Sequence, residues 1–501
     1  MNTLNRHQEL ILGIAAVAAI LMMGAFLRFY EIQTRPGYEW DEPIYAAISQ
    51  RTTIVGYPNL KGEDNTYNTD VYLYHPPFDF YLKGAWFQLL GTSDIGAGRI
   101  LSAIEGMIML ILAFFCLKEV SGKKVAVIGL IFLATDGWLV YTNRLNLIEN
   151  GMMPWGILGI WLYVKAAKTQ KTQYYLLTGI FLAFAAVYKH TGIPFVLVPL
   201  VNLLMIRRDW KNHLLTFQSM IIVVLLYVVA MLVLWQEDFL FCNWVQIERA
   251  LGKIGSRGLN YGLSEVADAV VQTYWVFFIT VLSIVTVGLT VGYRLFQVVF
   301  RGRQMPNSVL LSWALVAFTF MVAIALKAPH YLITVLIPAY MFIASELGKW
   351  LDGSGEKVKK EAEEKLVARK QWGIVGLMCI LVVANVFTWN VRFIQHRDNA
   401  LSETYSFFKT VSVNARVFAD ECVGVELQQP YFNLDRHPGE QGLKEVRPDY
   451  VVLYSSLTQK PPENPALSGL LSESQMVKHI SGFKEDIQIY RVGPREGIFG
   501  E

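Results

Sequence analysis

The chain has 501 residues, of which 53% are hydrophobic and only 17% charged, against about 25% charged in a typical soluble domain. Its mean hydropathy is +0.36 and its aromatic content is 13%, as expected where many helix ends meet a lipid–water boundary. A soluble enzyme, a disordered tail and a disulfide scaffold are excluded, and a net charge of +3 with no dense basic patch leaves no case for nucleic acid.

From the N-terminus, apolar runs long enough to cross about 30 Å of hydrocarbon fall at 9–27, 97–117, 125–141, 146–164, 174–188, 191–206, 214–235, 272–293, 308–326, 331–347 and 372–390. The expected fold class is therefore an all-α polytopic membrane protein with about 11 transmembrane helices. The first run ends in Phe26-Leu27-Arg28-Phe29 without a small-residue cleavage site, so it reads as a retained anchor. Lys and Arg collect in alternate connections, at Lys118/Lys123/Lys124, Lys165/Lys168/Lys171, Arg207/Arg208/Lys211 and Arg294/Arg301/Arg303. The connections between them carry single cations, Arg144, Lys189 and Lys327. The positive-inside rule then places the N-terminus in the cytoplasm and, with an odd number of spans, the C-terminus outside.

That orientation puts three larger segments on the outer side: 28–96, 236–271 and 391–501. The cytoplasmic side keeps short basic loops and a charged linker at 351–371. The first outer loop holds two helical patterns. Asp41 and Glu42 open one, with Pro43 at a first-turn position and Ile44, Ala47 and Ile48 on one face. The other runs from Pro77 through Phe78, Tyr81, Leu82, Ala85, Trp86, Leu89 and Leu90, too short to span and expected to lie in the interface. In the tail, 415–419, 449–454 and 487–492 read as strands and 401–410 and 464–478 as helices, which predicts a small extracytoplasmic α/β domain at 391–501 beside a transmembrane domain at 1–390.

Ionisable residues in or against apolar spans mark a site by default, because burial costs several kcal/mol unless they are paired or wet. Asp41 and Glu42 are candidate acid/base groups, with helix capping as the plainer alternative. Asp70 is a second outer acid. Arg99 lies at the start of the second span with Glu105 six residues deeper, and Arg144 and Glu149 lie at the start of the fourth; they are either interhelical pairs, such as Arg144–Glu149 or Arg99–Glu105, or, with Asp70, acceptor-side groups. Lys189 beside His190, and Lys327 beside His330 and Tyr331, have no acid near in sequence, so an anion such as phosphate is a natural partner. His75, in Tyr74-His75-Pro76-Pro77, is either a phosphate contact or a turn residue. Cys116, Cys242, Cys379 and Cys422 show no CxxC spacing; a Cys242–Cys422 bridge is conceivable but geometrically demanding. No metal-ligand cluster is legible, so neither a divalent metal nor another cofactor is assigned.

These residues carry a resemblance. Arg28-Phe29-Tyr30, Trp40-Asp41-Glu42-Pro43-x-Tyr45-Ala46, His75-Pro76-Pro77-Phe78 and Gly98-Arg99-Ile100-Leu101-Ser102-Ala103 resemble the GT-C superfamily of membrane glycosyltransferases. Within it the likeness is to the family 39 protein O-mannosyltransferases and the lipid A aminoarabinose transferases. Arg144-Leu145-x-x-Ile148-Glu149-Asn150, Tyr188-Lys189-His190-Thr191-Gly192 and His330-Tyr331-Leu332 with Pro338 resemble further elements of that family. His330 stands where the family often has Arg, and His75-Pro76-Pro77 stands where the aminoarabinose transferases carry Glu-Lys-Pro.

The resemblance implies a GT-C catalytic domain that moves a monosaccharide from a polyprenyl- or dolichyl-phosphate donor to a protein, lipid or glycan acceptor. Asp41 would be the base with Glu42 supporting it, and Lys189, Tyr331, His75, His330 and Lys327 would hold the lipid phosphate. Topology gives the same answer independently: cytosolic nucleotide sugars cannot reach an outer acid, so the donor must be lipid-borne. The absence of an Asn-x-Ser/Thr sequon favours a prokaryotic plasma membrane. The competing reading is a transporter or lipid flippase, for which repeated halves with broken helices would be expected; no such repeat is visible.

Overall fold

The computed structural model describes residues 3–60, 71–206, 210–251, 308–323, 329–352, 399–433, 445–454, 465–481 and 486–493, with isolated positions at 288, 292–293 and between 373 and 387. Asp70, Lys327 and the linker 351–371, apart from its first two residues, lie outside the described residues, as do most of the expected spans at 272–293 and 372–390.

The chain enters through α1 (Thr3–Phe29) and forms α2 (Asp41–Val55) and α3 (Phe78–Leu90) before α4 (Ile95–Ser121). The two short helices fall where the apolar spacing of the first loop predicts them. Their ends follow local rules: Gly56 and Gly91 take left-handed φ values of 88° and 67° just past α2 and α3, a conformation that is strained for other residues. The apolar run at 125–141 is broken into α5 (Lys123–Thr135) and α6 (Gly137–Asn143), bent by 64°. Asp136 sits at the break, accepting from the Leu139 N–H at 2.8 Å and from the Tyr340 hydroxyl at 2.6 Å. Then follow α7 (Ile148–Thr169), α8 (Thr172–Tyr188), α9 (Ile193–Ile206), α10 (Lys211–Ala250), α11 (Ser308–Ala323) and α12 (Ile333–Asp352).

Among the described residues, four helices are long and apolar enough to cross a membrane, or five if α5 and α6 count as one span. One boundary expectation is corrected. The outer segment at 236–271 does not begin as a loop: α10 continues through a kink at Trp235 (φ −150°, ψ 56°) to Ala250. The polar stretch Gln236-Glu237-Asp238 ends the apolar run without ending the helix.

The C-terminal region holds α13 (Ala400–Phe408), β1 (Val417–Ala419), α14 (Glu421–Gly424), β2 (Tyr431–Asn433), β3 (Tyr450–Tyr454), α15 (Pro465–Ser472), β4 (Gln475–Ser481) and β5 (Asp486–Arg491). The strands make one sheet in the order β2-β1-β3-β5-β4, parallel across β2, β1 and β3, with β5 antiparallel to both its neighbours β3 and β4. The helix expected over 464–478 stops at Ser472, and its last residues are strand β4 instead. This region sits on the first loop: Trp40 meets the Tyr454 ring edge-on at 5.3 Å, and Tyr38 stacks on Tyr405 at 6.5 Å. Cys242 and Cys422 are both buried thiols and no disulfide joins them.

Candidate active site

Arg99 organises the ground beneath the site. Its Nε and Nη2 donate to Glu42 Oε1 and Oε2 at 2.7 and 2.6 Å. Nη1 donates to the carbonyls of Ile32 and Pro36, and Nη2 also reaches Gly37 O. All five guanidinium N–H groups are thus used, in a pair with no solvent exposure on either side chain. The Tyr38 ring lies 4.8 Å from the guanidinium carbon. Glu42 accepts two further bonds, from the backbone N–H groups of Asn146 (2.7 Å) and Glu39 (2.9 Å).

Two of the pairings anticipated from sequence are therefore replaced. Arg99 binds Glu42 across 57 positions, not Glu105 within its own helix. Arg144 does not pair with Glu149; it donates to the carbonyls of Leu27, Arg28, Tyr30 and Arg35, closing the chain end that leaves α1. Glu42, read as support for a catalytic acid, is committed to the framework, since both its oxygens are taken.

Asp41 differs. It is half-buried at the first position of α2, and its carboxylate accepts no hydrogen bond from a described residue. Burial pushes its carboxyl pKa above the usual 3.8, while His330 and Lys189 pull it back. The two basic side chains that act on it come from two turns. Lys189 ends α8 and leads into a 3₁₀ turn, His190–Gly192, where a Cβ on Gly192 would lie 2.2 Å from the Ala185 carbonyl oxygen, so the close approach requires glycine. His330 lies in the turn Pro329–Leu332 ahead of α12.

Glu149, in the first turn of α7, joins these two turns. Its Oε1 is 2.5 Å from Lys189 Nζ and 3.3 Å from His330 Nε2. Lys189 is therefore not the acid-free cation that its sequence neighbourhood suggests; its partner lies 40 positions away and is fully buried. The ammonium also sits 5.7 Å from the Tyr45 ring centre and 5.6 Å from that of Tyr331. On the next turn of α2 from Asp41, the Tyr45 hydroxyl lies 3.1 Å from His75 Nε2. Burial, with Lys189 and His190 adding to it, lowers the His75 pKa well below 6.5, so its imidazole is neutral.

The structure thus brings Asp41, Glu149, Lys189, His330, Tyr331 and His75 to one place. It adds residues that the sequence did not single out. The C-terminal part of α10 reaches the 74–75 segment, where Gln246 donates to Tyr74 O at 2.9 Å and the Arg249 guanidinium stands 5.5 Å from the Tyr74 ring. Arg249 Nε is buried with no hydrogen-bond acceptor among the described residues. Tyr45 links the site to a second buried cluster, because Lys83 Nζ lies 5.7 Å from the same ring. Lys83 pairs with Asp79 at 2.8 Å, and the Tyr188 hydroxyl donates to Asp79 at 2.7 Å. A charged i,i+4 pair inside a mostly apolar 13-residue helix was the signal available for Asp79 and Lys83.

Comparison with known proteins follows the same outline. A family model for dolichyl-phosphate-mannose-protein mannosyltransferase matches residues 74–235. The fold resembles ArnT from Cupriavidus metallidurans bound to undecaprenyl phosphate, with a TM-score of 0.60 at 13% identity over 96% of this chain and 98% of that one. The chain carries the GT-C fold. The apo Archaeoglobus fulgidus oligosaccharyltransferase agrees, with a TM-score of 0.61 and 13% identity over 89% of this chain and 70% of that one. So does the arabinofuranosyltransferase AftD from mycobacteria, at 0.53 and 13% over 97% and 42%. No curated protein matches the sequence. The resemblance to GT-C proteins of the mannosyltransferase and aminoarabinose transferase type, read from the motifs, is upheld.

Proposed function

We propose that the chain is an inverting glycosyltransferase that moves a monosaccharide from a polyprenyl-phosphate donor to an acceptor hydroxyl on the extracytoplasmic face. The observation that carries this reading is Asp41: a half-buried carboxylate, unbonded among the described residues and flanked by Lys189 and His330. In one displacement the acceptor oxygen bonds to the anomeric carbon as the bond from that carbon to the phosphate oxygen breaks. Asp41 takes the acceptor proton, and the lipid phosphate leaves with the electron pair. Attack opposite the leaving group inverts the anomeric centre.

The leaving phosphate is held by cations already in place, which is where electrostatic catalysis gains most. Glu149 offsets much of the Lys189 charge, so Arg249 becomes a main phosphate contact in this reading, with Lys189, His330, His75 and Tyr331 around it. The eleven-span topology, a cytoplasmic N-terminus and an outer C-terminal domain belong to the same proposal. A GT-C fold does not favour the transporter alternative.

The test is Asp41→Asn in the full-length protein in lipid nanodiscs, supplied with a polyprenyl-phosphate monosaccharide and membrane-derived acceptor. Transfer is expected to collapse while the unfolding midpoint stays put; undiminished turnover removes Asp41 as the base.

A further inference from the structure

A cleft of about 430 Å³ lies between the α1–α2 connection and α13, within the ~300–1,000 Å³ typical of small-molecule sites. One wall carries Gln33, Thr34 and Tyr38, the other Asn399, Ser402 and Glu403, over a floor of Pro36 and Gly37. Its chemistry is opposite to that around Lys189. Among the described residues no Lys or Arg lines it, and the one other acid on its rim, Glu31, is tied to Arg35 at 2.7 Å. Among the described residues a phosphate finds no cationic side chain there. Hydroxyls, amides and a carboxylate, which together donate and accept, match a polyhydroxyl ligand.

The floor also argues against a peptide. Extended peptides bind by pairing with an exposed backbone edge or by filling an apolar groove. Here the carbonyls of Ile32, Pro36 and Gly37 are already taken by Arg99, and Pro36 has no N–H. The opposite wall is the first turn of a helix, Asn399 to Glu403, which presents no strand edge for an extended chain to pair with. The floor then runs through Tyr38, Glu39 and Trp40 into Asp41, and the Tyr38–Tyr405 stack fixes the two walls together.

We propose that this cleft is the acceptor subsite and that it takes a carbohydrate, presenting a sugar hydroxyl towards Asp41. The inference rests on the glycosyl-transfer reading above for its role, but its test is binding alone and needs no turnover. Full-length protein in nanodiscs is examined by saturation-transfer NMR with methyl glycosides of glucose, galactose, mannose, rhamnose and N-acetylglucosamine, beside a short Ser/Thr peptide. At least one glycoside is expected to receive saturation and the peptide none. Ser402→Trp, at an exposed helix position that accommodates the ring, is expected to abolish that signal, and Asn399→Ala to weaken it, with unfolding midpoints unchanged. Asp41→Asn is expected to keep the signal, so failure of the catalytic reading and failure of this one are read separately. Saturation of no glycoside, its survival in both cleft variants, or saturation of the peptide instead would each overturn the assignment.

Discussion

Around Glu42 and Arg99, five donors meet carboxylate and carbonyl oxygens and nothing is left to solvent. One residue earlier, Asp41 keeps accessible surface and a carboxylate unbonded among the described residues, in the field of Lys189 and His330. Adjacent acids at the start of one helix have thus been given opposite work. The saturated pair fixes a backbone, and the open carboxylate is left able to exchange a proton. A buried ion pair can be expensive to assemble, but losing one partner is costlier because the other charge is stranded. An unbonded carboxylate is tolerated where it is partly wet and compensated by field.

Several substitutions would break or sharpen this contrast. The largest effect is expected from Asp41→Asn, which should lower transfer by about 10²–10⁴-fold, the usual worth of a general base, with the thermal midpoint little changed. Arg99→Ala should do the reverse in kind, costing about 3–5 kcal/mol of stability by stranding Glu42, seen as a lower unfolding midpoint in detergent or nanodiscs. If Arg99→Ala unfolds no more easily than Asp41→Asn, the division between framework and site is wrong. Arg249→Gln should raise the donor KM by about tenfold or more, in line with the ~1.5–3 kcal/mol of a charge-assisted hydrogen bond, and should leave the acceptor KM alone.

The pH profile offers a finer probe. Only ionised Asp41 can accept a proton, so transfer should rise with pH along an acid limb. Burial raises this carboxyl, so the limb should lie at higher pH than for an exposed aspartate. His330 and Lys189 hold that shift back, hence His330→Ala should move the limb further up; a downward move would show that His330 does not act on Asp41 as placed. Tyr45→Phe is the mildest, expected to cost about 1 kcal/mol or less in transition-state stabilisation through loss of the contact to His75.

How much of this was legible in the sequence depends on range. The helices α2 and α3 were, because i, i+3, i+4 spacing and a Pro near the start are local signals. Asp41 was singled out by position and motif. The resemblance set Asp41 apart from Glu42 as base and support, but the tying of Glu42 into the framework was not legible, since it rests on Arg99 lying 57 residues away. Lys189 likewise looked unpaired only because Glu149 is 40 positions distant. Strand β4 was missed for another reason: at the sheet edge most of its residues are exposed, so it carries no buried apolar run to announce itself. Arg249 was hidden because the apolar stretch of α10 ends at the Trp235 kink, and polarity was taken for the end of the helix.

The hold of Arg99 on Ile32, Pro36, Gly37 and Glu42 has one more consequence. Asp41 is moored to α4 on its upstream side, so the length of the connection from α2 to α3 bears little on where the acid stands. Lengthening that stretch, or splicing in a foreign epitope, should add slack to a rope whose knot is already tied elsewhere.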